Sequence, residues 1–531
     1  MVWSNMKAMN VNTLLGAVTW EMIEPVEGQF CFDKLDNLIR EARQYRKKLV
    51  LLWFGSFKNG LSSYVPAWVK QDVKRFTRAH FRDSTGANAR TLNLLSPFCH
   101  NSWEADAKAF AALMKHLKSY DEAHSTVIMV QVENETGLLG DSRDRSHLAD
   151  EEFQKPVPLD LVQFLAQSDR SLHPTFMKRF PDIKTKAVMN STWQEVFGDG
   201  VEANETFMAH AFSKYVEHVA AAGKMEYNIP MYSNVWLNFN DPAVLDTAGV
   251  NLPAEAETVA GGSANPGVYP SGGACPHVLD IWQHNAPSID FIAPDLYLHN
   301  YTYICQQYRH NNNILFVPEQ RRDSKGVRRM MLAYTEYAAI GCSPFGIDTL
   351  SASSSDMTKV YKLLGSISKH ILKAQATRPE HMMGFFFDEL DHLTAQIQAL
   401  THWIKNFDEW EINIERSFVF GKPGPGNGIV IYQGNAKFLL IGWGFQVSFR
   451  NTTPGTTFTG ILSAEKKTVD ADGNLSTLRM LNGDELRGSE VVMMPNDNPD
   501  YGGFPIAVLI PARTYLAEFT AYSVKEQAED Y

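Results

Sequence analysis

The stretch Val127-Ile-Met-Val-Gln-Val-Glu-Asn-Glu135 is an apolar, β-branched run of strand length that ends in acidic residues. A second stretch, Asn313-Ile-Leu-Phe-Val-Pro-Glu319, has the same form. Continuous apolar runs of this kind are typical of strands buried in a parallel sheet, and a barrel of parallel strands carries its chemistry at the C-terminal rim. We therefore predict that Glu135 and Glu319 emerge at the same rim of one α/β barrel.

Short apolar strands alternate with amphipathic helices from the start of the chain to about residue 375, which predicts βα units around a parallel sheet. The predicted strands lie at 12–18, 48–54, the run that begins at Val127, 229–236, 289–296, 314–318 and 342–347. A closed (β/α)8 TIM-type barrel needs eight strands, so this count is one short. Because the chain opens in a predicted helix over 3–9, we expect the first strand to lie upstream of Met1. The alternative is an unrecognised strand between Leu138 and Thr206.

Beyond about residue 380 the sequence consists of short β-rich runs separated by Gly, Pro, Asn and Asp. The predicted strands are 383–387, 412–420, 428–433, 437–441, 445–450 and 457–462. This spacing is typical of an antiparallel β-sandwich. We therefore predict two domains, a barrel over 1–378 and a β-rich domain over 379–531.

The composition narrows the classes of partner. The chain has 531 residues and a formal net charge of -11, with its basic residues scattered, which argues against a nucleic-acid partner. No apolar run reaches the roughly 18 residues of a membrane span, so no membrane partner is expected. The first residues lack a secretory pattern, which favours a cytoplasmic location; if the chain begins upstream of Met1, secretion is the alternative. The sequence leaves the oligomeric state open.

The cysteines number five, far apart in the sequence, which indicates neither a disulfide framework nor a zinc ribbon. The candidate disulfide pair is Cys275 with Cys305, both in loop-like sequence. The spacings His-x-x-x-His and Cys-x-x-Cys are absent, so we predict no metal, and we expect no cofactor. The Gly-x-Ser-x-Gly signature of serine hydrolases is absent as well.

Cutting a glycosidic bond requires at least two carboxyl groups, one to protonate the leaving oxygen and one to attack or stabilise the sugar carbon. In this interpretation Glu135 is the general acid/base and Glu319 the nucleophile, acting on an oligosaccharide or polysaccharide. Glu133 lies two residues before Glu135 and alternates to the same side of the strand, so the pattern alone does not separate the two.

Other polar and aromatic residues at predicted strand ends are candidates for substrate binding, because sugar rings pack on aromatic faces and sugar hydroxyls bind polar groups. We expect Tyr297 in particular to donate its hydroxyl to Glu319 and so to hold that carboxylate ionised. The candidates are Asn134, Trp20, Glu21, Trp53, Trp236 and Tyr297.

Four stretches together resemble the β-galactosidase-like enzymes of glycoside hydrolase family 35, in the branch with an extra C-terminal β-domain. They are Val18-Thr-Trp-Glu-Met-Ile-Glu-Pro-Val-Glu-Gly-Gln-Phe30, Leu51-Leu-Trp-Phe-Gly-Ser-Phe-Lys-Asn-Gly60, Gln131-Val-Glu-Asn-Glu135 and Tyr269-Pro-Ser-Gly-Gly273. The resemblance implies a TIM-type barrel and removal of terminal β-galactosyl residues with retention of configuration. It also implies that Glu135, directly after Asn134, is the acid/base instead of Glu133, and that Glu319 is the nucleophile.

The chain departs from that family in lacking a counterpart of its first strand, whose rim segment helps to line the sugar pocket. Two other interpretations therefore stay open. One is a non-catalytic or vestigial carbohydrate-binding protein, and the other is the same chemistry on another β-glycoside, such as a glucoside or arabinoside.

Overall fold

The structure is a computed structural model that describes residues 2–82, 89–167, 171–239, 244–247, 250–251, 253, 260–390, 401–418, 423–497 and 510–525. The chain divides into two compact units. The first unit comprises residues 11–320, and the second comprises residues 2–10 and 321–531.

The α/β part of the chain alternates strands and helices as predicted. Its strands are β1 (Thr13–Thr19), β2 (Lys48–Lys58), β3 (Arg78–Arg82), β4 (Ala89–Leu95), β5 (Val127–Asn134), β6 (Met231–Val235), β7 (Phe291–Pro294), β8 (Val317–Gln320) and β9 (Cys342–Pro344). Its helices are α1 (Val2–Ala8), α2 (Trp20–Ile23), α3 (Asp33–Gln44), α4 (Ala67–Gln71), α5 (His100–Asp121), α6 (His147–Phe153), α7 (Leu159–Ala166), α8 (Pro174–Arg179), α9 (Ile183–Lys186), α10 (Trp193–Phe197), α11 (Val201–Glu226), α12 (Leu279–Asn285), α13 (Tyr301–Gln307), α14 (Ser324–Glu336) and α15 (Asp356–Thr377).

The first unit is built on a parallel sheet in the order β1-β2-β5-β6-β7. β8 follows β7 through a parallel bridge between Leu296 and Gln320. Buried apolar side chains from several strands form one layer, with Tyr232, Phe291 and Phe316 in mutual ring contact. Parallel strands alternating with helices confirm the predicted fold class for this part of the chain.

β8 begins three residues later than predicted because a side chain replaces the backbone ladder. The side-chain amide of Asn313 accepts a hydrogen bond from the backbone N of Ile292 and donates one to the carbonyl oxygen of Ile292, both at 2.9 Å. Those Ile292 groups are therefore satisfied before backbone pairing starts. Sequence periodicity does not reveal such a substitution.

The region between Leu138 and Thr206 contains helices. Apart from 168–170, which lie outside the described residues, it holds α6 to α10 and the start of α11, and no strand. The alternative of an unrecognised strand there therefore finds no support in the described part of this region. A hairpin of β3 and β4 was not predicted, because half of its strand residues are polar or charged and neither strand is a continuous apolar run.

The second unit contains two antiparallel sheets. Their strands are β10 (Met382–Phe387), β11 (Trp403–Phe407), β12 (Trp410–Arg416), β13 (Gly426–Gly434), β14 (Lys437–Trp443), β15 (Phe445–Asn451), β16 (Thr456–Val469), β17 (Leu475–Met480), β18 (Val491–Met494) and β19 (Tyr515–Lys525). One sheet has the order β10-β13-β14-β19-β16-β17 and the other β11-β12-β15-β18. Side chains from both sheets form one buried core, so the predicted antiparallel β-region is confirmed.

Helix α14 belongs to the second unit because it packs directly on β10. A Cβ atom at Gly384 of β10 would lie 2.0 Å from Thr335 Oγ1, so only glycine permits this approach. The compact units consequently divide at residue 320, earlier than the domain boundary at 378 predicted from composition. That boundary stays a prediction.

None of the five cysteines, which all lie among the described residues, forms a disulfide, so the suggested pairing of Cys275 with Cys305 is wrong. Both side chains are fully buried, as expected for thiols that act as small apolar groups. Among the described helices, none combines the length and the apolar composition that a bilayer crossing requires.

Candidate active site

Three carboxylates meet at the C-terminal ends of strands in the first unit. Glu135 directly follows β5, Asp295 directly follows β7, and Glu319 lies in β8. One carboxylate oxygen of each residue lies within 4.8 Å of the others. Glu135 and Asp295 are buried, with 7% and 4% of their surface exposed, and Glu319 is half-buried. The two acids predicted from the sequence therefore do come together, with a third beside them.

The three acids cannot all carry a charge at little cost, because they share a poorly hydrated space. Burial and the nearby charge of Glu319 raise the pKa of Glu135 to about 7, while the ammonium group of Lys58 acts in the opposite direction. Burial and the charges of Glu319 and Glu135 hold the pKa of Asp295 well above its usual range. A group with a pKa near neutrality is suited to both release and uptake of a proton.

Two neutral side chains fix the carboxylates in place. The Tyr297 hydroxyl donates to Glu319 Oε2 at 2.6 Å, as the sequence analysis expected. Asn234, at the end of β6, accepts from the backbone N of Glu135 at 2.9 Å and donates to Asp295 Oδ2 at 2.7 Å. Asn234 therefore links the ends of β5 and β7 across the strand between them.

The structure distinguishes Glu133 from Glu135, which the strand pattern alone did not. The residues Glu133 and Glu135 both have left-handed backbones, with φ of 60° and 43°, so regular alternation fails at the end of β5. The Glu133 carboxylate accepts from the backbone N of Ser56 and of Phe57 at 3.2 and 2.6 Å. Burial and the neighbouring Asp106 raise the pKa of Glu133 well above its usual range.

The surroundings of Glu133 form a closed polar cluster beneath the rim. Asp106 of α5 accepts from the Trp53 indole N and from the backbone N of Ser56, both at 2.9 Å. At Gly55 a Cβ atom would lie 2.4 to 2.6 Å from Trp53, Glu133 and Asp106, so a larger residue would disrupt this cluster. Glu133 therefore joins β2 and β5 to α5, away from the three-carboxylate group.

Three of the predicted substrate-binding residues lie elsewhere. Trp53 and Trp20 are fully buried, and the Trp20 indole donates to Glu24 Oε2 at 2.9 Å. Neither indole is exposed to a ligand in this arrangement. Glu21 lies on the surface, where its carboxylate pairs with Lys70 at 3.0 Å.

The other predicted residues lie at or near the carboxylate group. Asn134 is buried, and its Oδ1 accepts from Lys58 Nζ at 2.8 Å, while its Nδ2 has no hydrogen-bond partner within the described residues. Trp236 follows the strand that carries Asn234, and its indole N is likewise unpaired within those residues. Unpaired donors beside a group of carboxylates are suited to sugar hydroxyls. The substrate-binding role of these residues stays a prediction.

Asn234 and Lys58 were not predicted from the sequence. Each is a polar residue at the C-terminal end of an apolar strand, which was the available signal. Asp295 also follows an apolar strand, but it was not among the residues predicted for the site. Nothing in the sequence specified that it would lie between the other two.

The same three carboxylates are the one group of possible metal ligands found among the described residues. They include no histidine or cysteine, so oxygen-preferring cations are the class that they would suit. The absence of a metal from the reaction stays a prediction.

Two family models match the sequence. Residues 2–194 match glycoside hydrolase family 42, described as β-galactosidase, and residues 357–492 match a domain of unknown function, DUF5597. The matching family is 42, so the resemblance to family 35 is not supported, whereas the coarser resemblance to β-galactosidases is supported over residues 2–194. The first match includes Glu135 and ends before Asp295 and Glu319.

Partial structural similarity is found to two β-galactosidases of known structure. That from the psychrophilic Marinomonas ef1 has 12% identity and a TM-score of 0.44, over 71% of this chain and 58% of its own. That from Bacillus circulans sp. alkalophilus has 14% identity and a TM-score of 0.42, over 70% and 54%. The chain thus spans less than two thirds of the length of either protein. A search of curated proteins gives no match.

Proposed function

We propose that this chain is a retaining glycoside hydrolase that removes terminal β-galactosyl residues from oligosaccharides or polysaccharides. The observation that carries the proposal is the spacing of Glu135 and Glu319, whose nearest oxygens lie within 4.8 Å. Retaining enzymes hold their carboxyl groups about 5–5.5 Å apart, whereas inverting enzymes need about 6.5–9.5 Å to admit a water molecule. The family match over residues 2–194 supports the galactosyl specificity.

In this mechanism Glu319 attacks the anomeric carbon while Glu135 protonates the departing oxygen. Glu135 then removes a proton from a water molecule, which releases the sugar from Glu319. The hydrogen bond from Tyr297 aims the attacking carboxylate. The raised pKa of Glu135 supports the acid role, because a substantial fraction of this group holds its proton near neutral pH.

The proposal is tested by hydrolysis of a nitrophenyl β-galactoside with the purified chain, followed by NMR of the first sugar released. We expect the β-anomer to form first, and we expect a chelator to leave the rate unchanged. The α-anomer as first product would contradict retention. Absence of hydrolysis would favour a carbohydrate-binding protein, and preference for a β-glucoside or arabinoside would reassign the sugar.

The pH dependence of kcat/KM is expected to show a basic limb near pH 7. The acid form of Glu135 is required for the first step, and its fraction falls as the pH rises through its pKa of about 7. Initial rates between pH 5 and 9 with a poor leaving group measure this limb. A rate still at its maximum at pH 9 would contradict the assignment of Glu135 as the acid.

A further inference from the structure

The candidate site holds three carboxylates, whereas the proposed chemistry uses two. The third, Asp295, is almost fully buried. Its Oδ2 accepts a hydrogen bond from Asn234, and its Oδ1 is buried with no hydrogen-bond donor among the described residues. One oxygen of this side chain is therefore left without a partner if the group is ionised.

The groups that face Asp295 do not favour a negative charge. Glu135 after β5 and Glu319 in β8 both oppose it, and the phenols of Tyr232 in β6, Tyr297 and Tyr308 lie near it. The nearby ammonium group, that of Lys58 in β2, acts on Glu135. Within the described residues Asp295 Oδ2 contacts the neutral amide of Asn234, and no basic side chain donates a hydrogen bond to Oδ1. Burying an ionised carboxylate that has only one neutral hydrogen-bond donor is unfavourable in free energy, and protonation removes this penalty.

The hydrogen bonds fix where the proton resides. The backbone N of Glu135 can only donate, so the Asn234 atom that it contacts is the oxygen, and the Asn234 nitrogen faces Asp295. Asp295 Oδ2 is therefore an acceptor, which leaves Oδ1 to carry a proton. Carboxylate oxygens of Asp295 and Glu135 lie within 4.8 Å of each other, and two ionised carboxylates would have no proton to share between them.

We infer that Asp295 is a neutral carboxylic acid at neutral pH and donates its proton in a hydrogen bond to Glu135, as a positioning residue for the acid/base. The bonds then form a closed ring from the Glu135 backbone through Asn234 and Asp295 to the Glu135 carboxyl group. This ring sets the orientation of Glu135 and stabilises its ionised form, which the second step needs. The catalytic part of this inference rests on the proposed function.

The matched variants Asp295→Asn and Asp295→Leu test the inference through the pH profile. An asparagine amide can accept from Asn234 and donate to Glu135 as the protonated acid does, so we expect kcat/KM within about tenfold of wild type and an unchanged basic limb. Leucine has a similar volume and no donor. Loss of a hydrogen bond to the ionised form of Glu135 should move the basic limb up by about one pH unit and lower kcat by about 10- to 100-fold.

Loss of a thousandfold or more in Asp295→Asn, in a variant that unfolds like wild type, would show that an ionised Asp295 is required and would overturn the inference. An unmoved limb in a folded Asp295→Leu variant would also overturn it.

Infrared difference spectroscopy provides a readout that needs no substrate and no leucine variant. At pH 7 the wild-type protein should show the carbonyl band of a protonated carboxylic acid that disappears in Asp295→Asn. Absence of that band overturns the inference. A wild-type protein that shows the band yet hydrolyses no glycoside would support the protonation of Asp295 and contradict the proposed function, so the two failures are distinguishable.

Discussion

Replacement of Glu319 by Gln is expected to lower kcat/KM for a nitrophenyl β-galactoside by roughly four to six orders of magnitude. The neutral amide cannot form the covalent glycosyl intermediate. Of the two carboxyl groups beside it, Glu135 is needed as the acid/base, and Asp295 in its neutral form is a poor nucleophile. The variant should fold normally, because Glu319 is half-buried and the Tyr297 hydroxyl can donate to the amide oxygen as it does to the carboxylate. Initial rates and thermal unfolding of both proteins measure the two parts of this prediction.

The matched control is Glu133→Gln, the same chemical change close to the site. Because Glu133 lies in the buried cluster with Asp106 and its pKa is well above the usual range, the amide mimics its protonated form. We expect this variant to retain most of its activity. A variant with Glu319→Gly should recover turnover with added azide, since a small anion can enter the space that the side chain leaves. Activity of Glu319→Gln within tenfold of the control would remove Glu319 from the nucleophile role.

The meeting of Glu135 and Glu319 could be predicted because it depends on local properties. Each follows an apolar run of strand length, and parallel strands bring their C-terminal ends to one rim whatever the loops contain. The pairing of β5, β6, β7 and β8 then reduces nearly two hundred residues of separation to a few ångströms.

The remainder of the site depends on features that strand periodicity does not encode. The left-handed backbones at Glu133 and Glu135 end the alternation that placed both on one side. The indoles of Trp20 and Trp53 are covered by tertiary packing, on Glu24 and Trp68 in one case and on Asp106 and Phe110 in the other. Whether an aromatic side chain at a strand end lines a pocket or fills the core is decided by its neighbours in space.

Replacement of Glu135 by Gln is expected to lower kcat by about 10²- to 10⁴-fold for substrates with poor leaving groups. The loss should be much smaller in the first step for a dinitrophenyl galactoside, because that leaving group departs without a proton. The basic limb near pH 7 should disappear, since the group that produces it no longer titrates. Rates across a series of aryl galactosides, each measured from pH 5 to 9, separate this pattern from a general loss of binding.

The same substitution is expected to stabilise the fold at alkaline pH. In the native state the pKa of Glu135 is raised from 4.5 to about 7, so ionisation is disfavoured by folding. The contribution of this group to stability is fully present below about pH 4.5, where it is protonated in both the folded and the unfolded state. As the pH rises through 7 the unfolded state ionises more readily than the folded state, and the free energy of unfolding falls by about 3 kcal/mol. Glutamine does not titrate, so the variant avoids this loss.

Urea unfolding of both proteins at pH 5 and pH 8 measures this effect. The free energy of unfolding of Glu135→Gln relative to wild type should be higher at pH 8 than at pH 5. Replacing a carboxylate that is placed for catalysis at the expense of stability lowers activity and raises stability. Replacing a carboxylate that stabilises the fold lowers both. A variant that is inactive and also less stable at pH 8 would therefore contradict the electrostatic account of the site, even with Glu319 confirmed as the nucleophile.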